Sequence, residues 1–257
     1  MKHKKNSRKA VDEAIAVSRR KLLHNESPFA VKEAYVKLRT NLRFCVTSDK
    51  KRPCKTFAVT SANPSEGKSL TAANIAISYA MLGKKVLLVD ADMRKPVQRR
   101  LWKVKTAEGL CDFLANISRL EMAKVEELPL WVVCTGTIPP NPSELLSSDR
   151  MKKFVEECSK SYDCVIIDTP PINTVADAQI IETYVDGVIL VAKSGSTIDN
   201  ELRAAIEAVE HAGGNLCGVV LNDLDLKAVK YSYKRGYGYG YGYGYSYATS
   251  ATSNEAQ

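Results

Sequence analysis

The sequence predicts an α/β fold in which a mostly parallel sheet is flanked by helices. Short apolar runs alternate with helical patterns of about 10–15 residues, and this order is typical of βαβ crossovers. The apolar runs are continuous, as in strands that are buried on both faces. Charged clusters directly follow several of these runs, and ligands of parallel sheets bind at the carboxyl ends of the strands. The sequence therefore predicts both the fold and the edge of the sheet where a site should lie.

The apolar runs and the patterns between them define the elements in chain order. Strands are expected at Phe57–Val59, Val86–Val89, Leu130–Cys134, Asp163–Ile167, Gly187–Ala192 and Leu216–Asn222. Helices are expected at Leu70–Leu82, Gln98–Trp102, Leu110–Ala115, Ser143–Tyr162, Asp177–Tyr184 and Thr197–Ala212. Ser143 is the predicted N-cap of the fourth of these helices, because its side-chain oxygen can accept a backbone N–H.

A further helix is predicted ahead of the first strand, where Ser27-Pro-Phe opens a pattern with three- and four-residue spacing. Its apolar face consists of Val31, Ala34, Tyr35, Leu38 and Leu42. Its charged face consists of Lys32, Glu33, Lys37, Arg39 and Arg43. We expect the apolar face to pack on the same domain or on a neighbouring subunit.

The composition argues against several classes of protein. No apolar run in the 257 residues approaches the roughly 18 that a membrane-spanning helix needs, and the N-terminal lysines are not followed by the apolar segment of a secretory signal. The seven cysteines include no C-x-x-C pair, which argues against a zinc site or a redox dithiol. An odd, unpatterned set of cysteines is typical of reduced thiols, so a cytoplasmic protein is expected.

Three segments of the chain differ in composition: a basic arm at residues 1–25, a globular domain at 26–230 and a tail at 231–257. Eight basic and two acidic residues give the first 24 positions a net charge of +6. We expect a mobile or loosely helical arm that is either solvated or attracted to anionic lipid or an acidic partner. No aromatic residues are interleaved with these charges, which argues against nucleic acid. The tail alternates glycine with tyrosine and is predicted to be disordered.

The segment Thr60–Ser69 lies between a predicted strand and a predicted helix and is typical of a phosphate-binding loop. Successive backbone N–H groups in such a loop surround phosphate oxygens, and the helix N-terminus adds a positive dipole end. The segment fits the end of the pattern G-x-x-x-x-G-K-[ST], with Ala62 in place of the first glycine. Lys68 would reach the β- and γ-phosphates of ATP, and Ser69 would ligate Mg²⁺. The sheet is therefore predicted to be of the P-loop NTPase type. The predicted nucleotide-binding residues of this loop are Ser65, Glu66, Gly67, Lys68, Ser69 and Leu70.

Carboxylates end two of the predicted strands. Asp168 ends an apolar run in the form D-x-x-P, where it is either a helix cap or, downstream of a phosphate loop, linked to the metal. Asp90 and Asp92 project to the same side of an extended chain, and a cation between them would relieve their repulsion. One of the two would take the proton of the acceptor while the other holds Mg²⁺ through water. Arg94 continues this side, either as a catalytic cation or as an internal counter-ion.

Several of these segments resemble motifs of the bacterial tyrosine kinases, P-loop enzymes that are unrelated in fold to the eukaryotic protein kinases. Leu87–Arg94 resembles their extra Walker motif, Ser61–Ser69 their Walker A motif and Val165–Pro170 their Walker B motif. Gly136–Leu146 is similar to a further family segment, and the resemblance covers roughly residues 27–247.

The resemblance implies a role for each residue of the site. Asp90 would be the base that activates the acceptor. Asp92, Asp168 and Ser69 would hold Mg²⁺, and Asn222 would contact adenine. These roles assign ATP and Mg²⁺ to the site.

The resemblance also implies partners and a biological role. Family members phosphorylate their own C-terminal tyrosines, take part in capsule or exopolysaccharide synthesis and, in the Gram-positive type, are activated by a separate transmembrane adaptor at the inner face of the membrane. A cognate phosphotyrosine phosphatase and a homo-oligomer are implied as well. The family's ring-forming motif E-x-x-R-x-x-R is matched by Glu33 and Arg39, with Val36 in place of the middle arginine. The phosphoacceptors would be Tyr231, Tyr233, Tyr237, Tyr239, Tyr241, Tyr243, Tyr245 and Tyr247.

Two other classes of function share parts of this pattern. Positioning ATPases of the chromosome- or division-site type carry an early lysine in the phosphate loop, where this chain has Asn63, and they lack a tyrosine array. A nucleotide-dependent adaptor would bind ATP and dock on a membrane protein without transferring phosphate. The tail itself could instead be a Gly-Tyr linker or an aromatic segment that binds RNA or associates with itself.

Overall fold

The computed structural model describes residues 13, 15–46 and 55–224. Its strands are β1 (Lys55–Ser61), β2 (Val86–Asp90), β3 (Ala123–Lys124), β4 (Leu130–Val133), β5 (Cys164–Asp168), β6 (Gly187–Lys193) and β7 (Leu216–Asn222). Its labelled helices are α1 (Phe29–Cys45), α2 (Lys68–Ala80), α3 (Gln98–Leu101), α4 (Leu110–Leu114), α5 (Pro142–Ser147), α6 (Asp149–Ser161), α7 (Asp177–Glu182) and α8 (Asp199–His211). The proposed phosphoacceptor tyrosines and most of the basic stretch lie outside the described residues.

Within the described residues the strands form one seven-stranded sheet in the order β3-β4-β2-β5-β1-β6-β7. Neighbouring strands are parallel, except that β3 is antiparallel to β4. The register pairs Asp90 of β2 with Asp168 of β5, and Val59 of β1 with the same Asp168. The carboxyl ends of the three central strands therefore meet at one place. The predicted mostly parallel α/β sheet is confirmed.

Both faces of the sheet are covered, and alternate strand residues point to opposite faces. On one face Phe57 and Leu88 belong to a core that includes residues of α1 and α2. On the other face Leu87 and Ile167 belong to a core that includes residues of α4, α5 and α6. Because successive strand positions are all buried, the strands appear in the sequence as continuous apolar runs.

Part of the predicted basic arm packs on the domain. Residues 15–20 are helical, and Leu23 is buried in the core beside α2. The backbone N–H of Leu23 donates to Asn74 Oδ1 at 2.8 Å, and Arg19 Nε donates to the carbonyl oxygen of Leu101 at 3.1 Å. The segment that the sequence places in a mobile or loosely helical arm up to residue 25 is thus held against the domain from Arg19 onward, because Leu23 adds apolar surface to the core.

The predicted apolar face of α1 is only partly buried. Three of its residues contact the core: Tyr35, Leu38 and Leu42. Val31 and Ala34 are exposed, so they do not pack on the same domain, and packing on a neighbouring subunit stays a prediction for them. Arg39, which the pattern assigns to the charged face, donates to Ser78 Oγ on α2 at 2.9 Å. This hydrogen bond directs part of the charged face toward α2, so α1 contacts the domain along a narrower stripe than the pattern predicts.

The predicted helix from Ser143 to Tyr162 is two helices, α5 and α6. Ser148 separates them with an extended backbone, and its Oγ accepts the backbone N–H of Met151 at 3.2 Å. The predicted cap at Ser143 is wrong, because the hydroxyl of Ser143 donates to Asp177 Oδ1 at 2.7 Å. None of the helices in the described part of the chain is both long and apolar enough to cross a bilayer.

Glu182, the last residue of α7, is a buried carboxyl group away from the predicted site. Its side chain is 4% exposed, and neither carboxyl oxygen has a hydrogen-bond partner within the described part of the chain. A methyl group added to Gly214 would lie 3.0 Å from Glu182 Oε2, so the backbone at Gly214 packs directly against the carboxyl group. Burial without a partner raises the pKa of Glu182 to about 7.

We expect Glu182→Gln to raise the free energy of unfolding at pH 8 by about 1–3 kcal/mol, because the amide is neutral and removes a buried charge that has no partner. The pKa is raised in the folded state, so the folded chain binds more protons than the unfolded chain between pH 4.5 and about 7. Wild-type stability therefore falls across that interval as the pH rises. Urea unfolding of both chains at several pH values measures the difference, with exposed Glu207→Gln as the control. A difference that does not grow between pH 4.5 and pH 8 would contradict the expectation.

Candidate active site

The candidate site lies at the carboxyl ends of β1, β2 and β5. The loop that follows β1 leads directly into α2, whose N-cap is Gly67 and whose first residue is Lys68. Asp90 ends β2, and its register partner Asp168 ends β5. The phosphate loop and the two strand-end carboxylates, which are far apart in the sequence, are thus brought to one edge of the sheet.

The phosphate loop requires glycine at position 67. Gly67 has a φ of +92°, and a methyl group on it would lie 2.0 Å from the amide nitrogen of Asn222. That amide nitrogen donates to the carbonyl oxygen of Glu66 at 2.9 Å. Asn222 at the end of β7 therefore packs against the loop at Glu66 and Gly67. The adenine contact that the family resemblance implies for Asn222 stays a prediction.

The side chain of Glu66 ties the phosphate loop to the turn that follows β6. It is 3% exposed, and it accepts the backbone N–H of Asn63 at 2.9 Å and the hydroxyl of Thr197 at 2.5 Å. Thr197 Oγ1 in turn accepts the backbone N–H of Lys193 at 2.7 Å. Glu66 is one of the predicted nucleotide-binding residues. The structure shows that its carboxylate holds the shape of the loop, which leaves the loop backbone to face a ligand.

Lys68 is the central cation of the site. Its ammonium group lies 2.8 Å from Asp92 Oδ2, 3.3 Å from Asp168 Oδ1 and 3.2 Å from Ser69 Oγ. Burial acts to lower the pKa of Lys68, but the charges of Asp168 and Asp92 outweigh burial and raise it. Lys68 is therefore a fixed positive charge, and it joins the phosphate loop to both acidic motifs.

Asp90 completes the acidic cluster and is fully buried. Its Oδ2 accepts the backbone N–H of Gln98 at 2.9 Å, whereas its Oδ1 has no partner among the described residues. Burial, followed by the nearby charge of Asp168, raises the pKa of the Asp90 carboxyl well above its ordinary value. Burial also raises the pKa of Asp168, and the charge of Lys68 opposes it.

These residues fit a magnesium-nucleotide. Asp90, Asp92 and Asp168 surround one ammonium group, so the fully ionised cluster has an excess of negative charge that a divalent cation would balance. Carboxylate and hydroxyl oxygens are ligands that Mg²⁺ prefers. Within residues 13–224 as described, no three His, Cys, Asp or Glu side chains are arranged to hold a metal alone. Mg²⁺ keeps several waters and shares its ligands with substrate phosphates.

Arg94 pairs with Asp177, and no described hydrogen bond or ion pair joins it to Asp90, Asp92 or Asp168. Its Nε and Nη2 donate to the two carboxylate oxygens of Asp177 at 2.8 and 3.0 Å. Ser143 donates to the same carboxylate and accepts from Arg94 at 3.2 Å. Arg94 is thus an internal counter-ion that joins the loop after β2 to α5 and α7. This pairing could not be predicted from sequence, because Asp177 lies 83 positions away.

Asn63 occupies the position at which the positioning ATPases have their early lysine. Its side-chain amide donates to Glu201 Oε2 at 2.7 Å, on α8 of the same chain. An amide that is held within its own chain offers no positive charge to a partner's nucleotide. The geometry therefore argues against an ATPase that completes its site with a neighbour's lysine.

Known proteins resemble both the sequence and the fold. A family model for an AAA domain matches residues 54–210. Tyrosine-protein kinase YwqD of Bacillus subtilis (strain 168) is 44% identical over 204 residues, which are 78% of this chain and 85% of that protein. The chimerical protein CapA2B2 has a TM-score of 0.73 at 37% identity, with 78% of this chain and 88% of that chain covered. The kinase domain of Escherichia coli tyrosine kinase ETK has a TM-score of 0.73 at 33% identity, with 83% and 80% covered.

The match spans the phosphate loop and all three acids, and it covers most of each relative as well as most of this chain. The similarity to known tyrosine kinases therefore extends over the whole nucleotide-binding domain and is not limited to short motifs. The chain belongs to the family of the bacterial tyrosine-protein kinases and is a protein-tyrosine kinase.

Proposed function

We propose that this kinase transfers the γ-phosphoryl group of ATP to the tyrosines between residues 231 and 247 of a neighbouring copy. The observation that supports this proposal best is the free oxygen of Asp90. It is a buried carboxylate oxygen without a partner among the described residues, in the same cluster as Lys68. A base at this place is what a hydroxyl acceptor requires. Phosphate hydrolysis and simple nucleotide binding do not explain a C-terminal tyrosine array.

Each residue of the site has its own role in the proposed reaction. The loop backbone and Lys68 would hold the β- and γ-phosphates, and Ser69, Asp92 and Asp168 would hold Mg²⁺ with its waters. Mg²⁺, when bound, supplies charge neutralisation at the phosphate oxygens. A tyrosine hydroxyl has a pKa near ~10 and needs a positioned base. Asp90 would accept the phenolic proton as the phenolic oxygen bonds to phosphorus, and ADP leaves.

The proposal includes the biological setting that the family implies. The kinase would act at the inner face of the cell membrane through a transmembrane adaptor subunit of the polysaccharide co-polymerase type. It would regulate capsule or exopolysaccharide synthesis, and a cognate phosphotyrosine phosphatase would reverse the modification. The domain boundaries at 26 and 230 and the role of the basic N-terminal arm stay predictions, although Leu23, ahead of the first boundary, packs in the domain core.

Incubation of the full chain with γ-labelled ATP, Mg²⁺ and the activating segment of the adaptor tests the proposed function. We expect label on the tail tyrosines, and a chain with these eight tyrosines replaced by phenylalanine should stay unlabelled. Free phosphate without labelled protein would favour the positioning ATPase. Nucleotide binding with neither product would favour the non-catalytic adaptor, and either result would refute the proposed function.

A further inference from the structure

Gln98, the first residue of α3, is fully buried and reaches all three motifs of the site. Its amide nitrogen donates to Asp168 Oδ2 at 2.9 Å and to the carbonyl oxygen of Ser69 at 3.0 Å. Its backbone N–H donates to Asp90 Oδ2 at 2.9 Å. One residue thus contacts the phosphate loop, the acid at the end of β2 and the acid at the end of β5. From sequence, Gln98 is predicted only to lie in a helix.

The orientation of the Gln98 amide is determined by its neighbours. The indole N–H of Trp102 can only donate, and it lies 3.0 Å from Gln98 Oε1. Asp168 Oδ2 and the carbonyl oxygen of Ser69 face the amide nitrogen and can accept. The amide therefore has one arrangement that satisfies all its partners, with the nitrogen toward the acids.

These contacts also determine which oxygen of Asp168 and of Asp90 is left for other partners. Gln98 holds Oδ2 of Asp168, which leaves Oδ1 toward Lys68 at 3.3 Å. The backbone N–H of Gln98 holds Oδ2 of Asp90, which leaves Oδ1 without a partner among the described residues. The side-chain amide is neutral at any physiological pH, so it keeps its bond to Asp168 whether or not a cation is bound, whereas the bond to Asp90 comes from the backbone.

We propose that the side chain of Gln98 is a positioning group that presents Asp168, next to Asp90 and Asp92, to the magnesium-nucleotide, and that Trp102 fixes its amide. The inference rests on the proposed function, because it assigns Mg²⁺ to these acids. Groups that orient metal-linked carboxylates from behind typically contribute about 10–100-fold to metal affinity. Gln98 should therefore affect the response to Mg²⁺ and have little effect on nucleotide binding without metal, for which the loop backbone and Lys68 suffice.

A fluorescent ADP analogue titrated against the full-length protein tests this inference. In EDTA, the Gln98→Met chain should bind the analogue as tightly as the wild type. With Mg²⁺, the half-saturating metal concentration should rise by about 10–100-fold. Methionine has a similar length and no donor, and its flexibility favours folding. Trp102→Phe keeps the amide but removes its anchor, so we expect a smaller shift in the same direction. Exposed Arg99→Gln, on the same helix, is the matched control and should not change the midpoint.

The indole of Trp102 supplies a second measurement that does not depend on activity. In a Trp131→Phe background Trp102 is the single tryptophan, and its hydrogen bond to Gln98 links it to the acids. Mg²⁺ added to the ADP-bound chain should change its emission, and the change should be absent from the Gln98→Met chain.

The outcomes distinguish a failure of the role proposed for Gln98 from a failure of the proposed function. A folded Gln98→Met chain with the wild-type Mg²⁺ midpoint would overturn the role of Gln98 and leave the proposed function intact. If Gln98→Met does not fold, a Trp102→Phe chain with an unchanged midpoint overturns it in the same way. If the wild-type chain binds ADP with the same affinity in EDTA and in Mg²⁺, the magnesium site is overturned, and with it both proposals.

Discussion

Replacing Lys68 with methionine is expected to abolish phosphoryl transfer and to destabilise the metal-free chain. Lys68 is the one cation within 4 Å of Asp92 and Asp168 among the described residues, and its side chain is 10% exposed. It would be the side chain that neutralises the transferring phosphates. Loss of a single preorganised donor typically costs about 10²–10³-fold in rate, and a full charge should cost at least that.

The effect of Lys68→Met on stability follows from the same contacts. Removing one partner of a buried ion pair costs about 3–5 kcal/mol when the other charge stays buried, and proton uptake by the carboxyls reduces that cost. Thermal unfolding in EDTA should therefore show a lower midpoint, and Mg²⁺ should recover part of the loss because it replaces the missing charge. Lys84→Met, which removes an exposed lysine 3.7 Å from Asp163, is the control. Unchanged stability in EDTA would contradict the ion pairing described for the site.

Asp90→Asn is expected to abolish transfer as well, but to stabilise the metal-free chain. Asparagine has the same shape but is no base at neutral pH, and loss of a general base typically costs about 10²–10⁴-fold in rate. Nucleotide affinity should be retained, because Asp90 does not contact the phosphate loop in any described hydrogen bond. In EDTA the variant should unfold at a higher temperature than the wild type, since one of three crowded, buried carboxylates is gone.

The opposite changes in stability distinguish these two variants, although both lose activity. The control for Asp90→Asn is Asp149→Asn, whose side chain is 90% exposed on α6. Retained tyrosine phosphorylation by a folded Asp90→Asn chain would exclude Asp90 as the base. A lower melting temperature in EDTA would contradict the charge crowding that the geometry indicates.

The sheet could be predicted from sequence because its strands are buried on both faces. Continuous apolar runs at Val86, Asp163 and Gly187 locate central strands, and the carboxylates directly after two of them locate the site. β3 was missed, because a strand of two residues has no apolar pattern. The register that pairs Asp90 with Asp168 was expected only in outline, from the rule that parallel strands end at one edge.

Other parts of the site depend on tertiary contacts that sequence spacing does not record. Arg94 pairs with Asp177 because α7 returns to the loop after β2. The sequence left open whether Arg94 is a catalytic cation or an internal counter-ion, and it did not identify Asp177 as the partner. Gln98 occupies an ordinary helical position, and only the structure shows its amide against Asp168. Local patterns predicted which charges would matter, and packing determined which partner each one has.

The most direct test of the central claim is phosphate transfer between two different copies of the chain. The acceptor is the full-length Lys68→Met chain, and the donor enzyme is the chain whose eight tail tyrosines are phenylalanine. With labelled ATP, Mg²⁺ and the adaptor's activating segment, we predict label on the tail of the Lys68→Met chain in the mixture and on neither chain alone. Label on the phenylalanine-tailed chain, or on the Lys68→Met chain by itself, would contradict the account.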